Sequence, residues 1–151
     1  METKPVLSHI DQIGIVVKDI NRAVKHYESL GIGPFKSLWD TVEIEERRVH
    51  GKLANDVKNV VMVAQVGPLE IELVQTVTGN SIQKEFLDRK GEGVHHVGMF
   101  VDSKYYNREV EQLLKKGLKI SACIKTVKGP RSCAYFATDE VGGLQIELIS
   151  K

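Results

Sequence analysis

The chain has 151 residues, 42% hydrophobic and 27% charged, the composition of a soluble globular protein. Its 21 Lys and Arg against 20 Asp and Glu leave a net charge of +1, which excludes the concentrated basic face that nucleic acid requires. The opening Met1-Glu2-Thr3-Lys4-Pro5 lacks the apolar core of a signal peptide, and no apolar run reaches membrane-spanning length, so a cytoplasmic protein without membrane partners is expected.

In chain order, the first element is a strand, Asp11-Gln12-Ile13-Gly14-Ile15-Val16-Val17. A helix follows from Ile20 to a glycine stop at Gly31, with Ala23, Val24, Tyr27 and Leu30 on one stripe. Glu45-Glu46-Arg47-Arg48 is mixed in sign and reads as a solvated strand or turn. Strand-like runs then cover Val60 to Val66 and Leu69 to Val74. Ser81 opens a short helix through Lys90, and Gly91-Glu92-Gly93 is a linker. The strand His95-His96-Val97-Gly98-Met99-Phe100-Val101 leads to a helix from Tyr105 to Gly117. Leu118 to Thr126, Cys133 to Thr138 and Leu144 to Ile149 complete the β-rich runs. Lys128-Gly129-Pro130-Arg131 reads as an exposed turn, with a possible second role in meeting a substrate phosphate or carboxylate. Cys123 and Cys133 show no Cys-x-x-Cys spacing and are expected buried and reduced.

The chain repeats itself. Both early strands carry Gly at the fourth place and Val at the seventh, and each is followed by a helix ending at glycine. Gly67-Pro68-Leu69-Glu70-Ile71-Glu72-Leu73-Val74 matches Gly142-Gly143-Leu144-Gln145-Ile146-Glu147-Leu148-Ile149 at the same offsets. The fold expected is α+β: two tandem βαβββ modules forming a cup-shaped mixed sheet in a single domain over 1–151. Module one covers about 8–78, the linker helix about 81–92 and module two about 94–150.

Strand alternation places Ile13, Ile15 and Val17 on the helix-facing side and Gln12 on the other; likewise Val97, Met99 and Val101 oppose His96. Glu72 and Glu147 lie opposite Leu69-Ile71-Leu73 and Leu144-Ile146-Leu148. Gln12, Glu72, His96 and Glu147 therefore converge if the sheet curls around one cavity. Buried carboxylates facing each other repel and are costly unless paired or bound to a cation. A divalent cation balances both Glu charges, and the nitrogen and oxygen donors suit Zn²⁺, Ni²⁺, Co²⁺, Mn²⁺ or Fe²⁺. His95 falls on the helix-facing side as a structural residue, and His9, at an odd separation from Gln12, is a minor rival ligand.

These motifs, over roughly Ile10 to Ile149, resemble the vicinal oxygen chelate superfamily of glyoxalase I, methylmalonyl-CoA epimerase, extradiol dioxygenases and antibiotic-resistance proteins. The resemblance implies one metal ligand from each of four strands, at Gln12, Glu72, His96 and Glu147. Many members carry His where this chain has Gln12; some glyoxalase I enzymes use Gln there. The Gly31-to-Phe35 and Glu85-to-His96 stretches look more like the epimerase branch, whereas the ligand set looks like glyoxalase I. A dioxygenase is disfavoured because Gln12 breaks the two-His, one-Glu pattern. The resemblance thus implies proton abstraction next to a carbonyl in an acyl-CoA or hemithioacetal substrate. Glu147 is the first candidate base and Glu72 its counterpart, with Glu43 and Glu45 as fallbacks. A non-catalytic small-molecule binder is the competing class, and a homodimer is expected.

Overall fold

The computed structural model describes residues 7–38, 42–128 and 131–151. Strand β1 (Gln12–Val16) leads into helix α1 (Ile20–Ser29), where the Asp19 carboxylate accepts from the Arg22 N–H at 3.1 Å. Short strands β2 (Lys36–Ser37), β3 (Ile44–Val49) and β4 (Lys52–Leu53) precede the long hairpin of β5 (Lys58–Val66) and β6 (Leu69–Thr78). Helix α2 (Ile82–Lys90) has the expected Ser81 cap, its hydroxyl accepting from the Lys84 N–H at 2.8 Å. The second half runs β7 (Gly93–Val101), α3 (Ser103–Lys115), β8 (Ile120–Thr126), β9 (Cys133–Phe136) and β10 (Gln145–Ser150). Among the described residues, no helix is long and apolar enough to cross a membrane.

All ten strands form one mixed sheet, ordered β2-β5-β6-β1-β7-β10-β9-β8-β3-β4. In each half the early strand runs parallel to the late one, β1 to β6 and β7 to β10, as the repeat requires. The sheet cannot be flat. Only residues 54–57 separate β4, last in the order, from β5, second in the order. Eight strand spacings of about 4.8 Å would exceed the reach of that segment, so the sheet curls into a half-barrel cup. Arg47 spans the remaining gap, its Nη1 donating to the Val57 carbonyl at 3.0 Å. At Arg47 this corrects the expectation of a solvated strand or turn over Glu45–Arg48; the run is a strand, and Glu45 is exposed. Arg47 is buried because it stands in register with Ile124, which pairs with Cys133 on the inner face.

Three apolar clusters hold the cup. Ile20 and Ala23 of α1 pack outside the first half on Ala64 and Leu73, with Phe35. Leu113 of α3 does the same outside the second half with Met99, Phe136 and Leu148. Inside, Ile82 of α2 meets Ile124, Cys133, Tyr135 and Ile149, so α2 packs against the inner wall. Each fully buried Leu or Phe contributes roughly 1.5–3 kcal/mol relative to exposure.

The halves join where β1 pairs antiparallel with β7. Gln12 stands opposite Gly98, and Gly14 opposite His96. Each glycine of the repeat thus clears space for the polar side chain of the other strand. A Cβ on Gly14 would collide with the His96 imidazole, and one on Gly98 would lie 3.0 Å from Gln12 Oε1. Gly14→Ala is therefore expected to destabilise the protein by about 1–3 kcal/mol, with Gly98→Ala costing less. Urea denaturation of both variants checks the ranking; an undiminished Gly14→Ala would contradict the close contact.

Candidate functional site

The four residues that alternation places on the inner face are brought together. Gln12 and His96 are 0% exposed, Glu147 3% and Glu72 5%, so the group is buried away from bulk solvent. His96 Nε2 is the hub: it lies 3.1 Å from Gln12 Oε1, 3.0 Å from Glu147 Oε2 and 3.4 Å from Glu72 Oε1. Ligand-capable atoms of Glu72, His96 and Glu147 all fall within 4.8 Å of one another. Four strands supply them: β1 and β7 from the middle of the sheet, β6 and β10 from either side.

Two carboxylates in a buried pocket create an electrostatic conflict. Burial raises the Glu72 pKa, and the Glu147 charge raises it further. Burial alone would lower His96, but the Glu147 and Glu72 carboxylates outweigh it and lift the imidazole to about 10. A proton on His96 thus partly offsets the carboxylates in the cation-free protein. Glu147 Oε2 is buried and meets His96 Nε2 at 3.0 Å, a contact that balances its charge only while the imidazole keeps its proton. Such an oxygen is costly unless a cation or proton meets it. Two carboxylates, an imidazole and an amide oxygen fit a divalent cation of the Zn, Ni, Co or Mn type. Burial and the nearby Glu147 charge push the Cys133 thiol well above its usual range, so it stays protonated and supplies no thiolate.

The surroundings differ from the sequence-based expectation at three places. His95 does not share the α3-facing side of β7. The β1–β7 register slips between Gly14 and Ile15, leaving His95 as the extra residue of a bulge. It turns toward Phe86 of α2 and Tyr135, and its Nδ1 lies 3.0 Å from His96 Nδ1. Arg131 is no free turn residue: it makes two bonds of 3.1 Å to the Glu70 carboxylate. Its neighbours Gly129 and Pro130 lie outside the described residues. Glu70 was not singled out, although it precedes Glu72 by two and so shares its face; Gln12 Nε2 donates to it at 2.8 Å. His9 is exposed and pairs with Asp11 at 2.9 Å, while Glu43 and Glu45 are exposed, Glu45 facing Lys125 at 3.3 Å. Cys123 and Cys133 are both free thiols, Cys133 buried as expected but Cys123 only half-buried.

Beside the cluster lies a cavity of about 20 Å³, room for one water-sized particle. Gln12, Glu72, Glu147 and Arg131 give it polar walls; Val61, Val74, Ile124 and Ile149 give it apolar ones. The Tyr135 ring stands edge-on to His96 with centroids 5.1 Å apart.

The family model of the Glyoxalase/Bleomycin resistance protein/Dioxygenase superfamily matches residues 11–135. An uncharacterized protein of Bacillus subtilis, YqjC, is 24% identical over 144 residues, covering 94% of this chain and 91% of that protein. The methylmalonyl-CoA epimerase of Mycobacterium tuberculosis is similar in structure, with TM-score 0.62 and 17% identity, over 99% of this chain and 92% of that one. A Streptomyces coelicolor methylmalonyl-CoA epimerase variant in complex with 2-nitronate-propionyl-CoA gives TM-score 0.62 and 18% identity, over 96% and 95% of the two chains.

A cation at His96 Nε2 must displace the proton held there at about pH 10. Cation affinity should therefore rise about tenfold per pH unit between pH 6 and 8, measured by calorimetric titration in buffers of different ionisation enthalpy. Without cation the sign reverses. The folded state holds this proton more tightly than the unfolded chain, so its stabilisation is full below pH 6.5 and lost as pH rises through about 10. Melting in the presence of chelator should show Tm falling across that window.

Proposed function

The chain belongs to the Glyoxalase/Bleomycin resistance protein/Dioxygenase superfamily, and from that premise we propose that it is a divalent-cation-dependent isomerase or epimerase that moves a proton on a carbon next to a carbonyl. The observation that carries this is the buried Glu72–His96–Glu147 group, whose ligand-capable atoms all lie within 4.8 Å of one another. Gln12, Glu72, His96 and Glu147 would hold the cation, of the zinc, nickel, cobalt or manganese type. When bound, the cation supplies a Lewis acid that stabilises the negative charge developing on the carbonyl oxygen.

The remaining work falls to the side chains. We assign Glu147 as the base. It is buried at the cluster and lines the small cavity beside it, where a substrate carbon would have to lie within its reach. Glu72 reaches the cluster from β6, on the far side of the β1–β7 pair from β10 and Glu147. Removal of a proton by one carboxylate and return by the other would therefore act from two sides, which an epimerisation requires. Val61, Val74, Ile124 and Ile149 form an apolar wall beside the cluster that limits the entry of solvent. The fold shared with epimerases, one of them in complex with an acyl-CoA analogue, supports an acyl thioester as substrate. The Gln12 oxygen beside His96 supports the related lyase activity on a hemithioacetal, which needs the same proton transfer. A non-catalytic small-molecule binder of the same superfamily is the competing class.

Purified protein should bind Co²⁺, Ni²⁺ or Zn²⁺ one to one, and Glu147→Ala should abolish stoichiometric binding. In deuterated water the loaded protein should exchange the α-proton of methylmalonyl-CoA, and Glu147→Gln should slow this by at least about 100-fold. Turnover of the methylglyoxal hemithioacetal alone would assign the lyase instead. Ligand binding with neither reaction would leave the binder.

A further inference from the structure

We propose that Glu70 and Arg131 act as a clamp that sets the direction of the Gln12 amide, and so let a glutamine oxygen serve as the fourth ligand where the repeat has His96. The clamp rests on the cation site proposed above. An amide has an oxygen and an NH₂ group of nearly the same shape. Turned the wrong way, it would present hydrogens to a cation. In the structure Gln12 Nε2 donates to Glu70 Oε1 at 2.8 Å and to Glu72 Oε2 at 3.2 Å, which occupies both N–H groups. The oxygen is left facing His96 Nε2 at 3.1 Å.

Glu72 cannot provide this orientation by itself, because the same carboxylate would also be a ligand. Glu70 is the dedicated partner: it is 8% exposed, and its side-chain bonds go to Gln12 and Arg131. The guanidinium grips it with two parallel bonds of 3.1 Å, the geometry that fixes a carboxylate in plane. Arg131 is itself held. Its N–H donates to the Ser150 carbonyl, its guanidinium stands 5.1 Å over the Phe100 ring, and its φ of 80° lies in the left-handed region that side-chain-bearing residues avoid.

The repeat supplies an internal comparison. The position equivalent to Glu70 is Gln145, which accepts from Ser121 Oγ at 2.6 Å and makes no bond to His96. There the neighbour is a neutral amide, and the His96 ring is oriented instead by His95, whose Nδ1 lies 3.0 Å from His96 Nδ1. Charge agrees as well: three carboxylates at 70, 72 and 147 balance one guanidinium and one divalent cation.

The test uses Co²⁺, with affinity read by chelator competition and geometry by the visible absorption band. Glu70→Gln, which keeps the shape, should weaken Co²⁺ binding 10- to 100-fold and shift the band. In a Gln12→Ala background the same change should alter affinity by no more than about twofold, because Glu70 acts through Gln12. Arg131→Met, which leaves Glu70 in place, should give a smaller loss in the same direction. Unchanged affinity in both Glu70→Gln and Arg131→Met, or an equal loss from Glu70→Gln with and without Gln12, overturns the clamp and leaves the pair as a strut between strands. Wild-type protein that binds no Co²⁺ overturns the cation site and the clamp together, a result distinct from wild-type binding that Glu70→Gln does not disturb.

Discussion

The antiparallel pairing of β1 with β7 puts Gly14 opposite His96 and Gly98 opposite Gln12, and the rest of the site depends on that register. A one-residue slip would turn every inner side chain outward. It would also set a Cβ-bearing residue against the imidazole, in space that only Gly14 leaves free. The two glycines are therefore part of the site although neither has a side chain. On either side of this seam β6 and β10 each deliver a glutamate one strand away, although β3 and β4 of the first half extend the second half's edge.

Symmetry of backbone does not produce symmetry of chemistry. The repeat equates Gln12 with His96, Glu72 with Glu147 and Glu70 with Gln145, yet the two halves surround their central residues differently. On one side an amide lies between two carboxylates, one of them held by Arg131. On the other, a bulge folds His95 against His96, and the two rings meet through Nδ1 atoms 3.0 Å apart. Both arrangements orient the inner donor by a polar neighbour, one through a carboxylate and one through an imidazole. The cluster's electrostatics push in a single direction: buried negative charge holds a proton on His96 until a cation replaces it.

Local pattern carried much of this. Period-two alternation put Gln12, Glu72, His96 and Glu147 on one face, and duplication made them pairwise equivalent. Those signals survive in sequence because inner positions of a strand must alternate strictly with the apolar positions that pack on a helix. Glu70 obeyed the same alternation but carried no distinguishing mark, since an acidic residue two places from another commonly sits on an exposed face. Arg47 and Arg131 looked solvated for a comparable reason: their burial depends on partners 10 and 61 residues away in the chain.

The sequence by itself determined the α+β class, the main strands and helices in their order, the Ser81 cap and the face of Gln12, Glu72, His96 and Glu147, because these follow from interactions between residues close in the chain. Tertiary structure alone decided how far the sheet curls, where the bulge displaces His95, and which charged groups meet across the cup. Those features come from closing distant strands onto one another, where a single extra residue in β7 redirects a side chain and a guanidinium from the far side of the cup selects the carboxylate it grips.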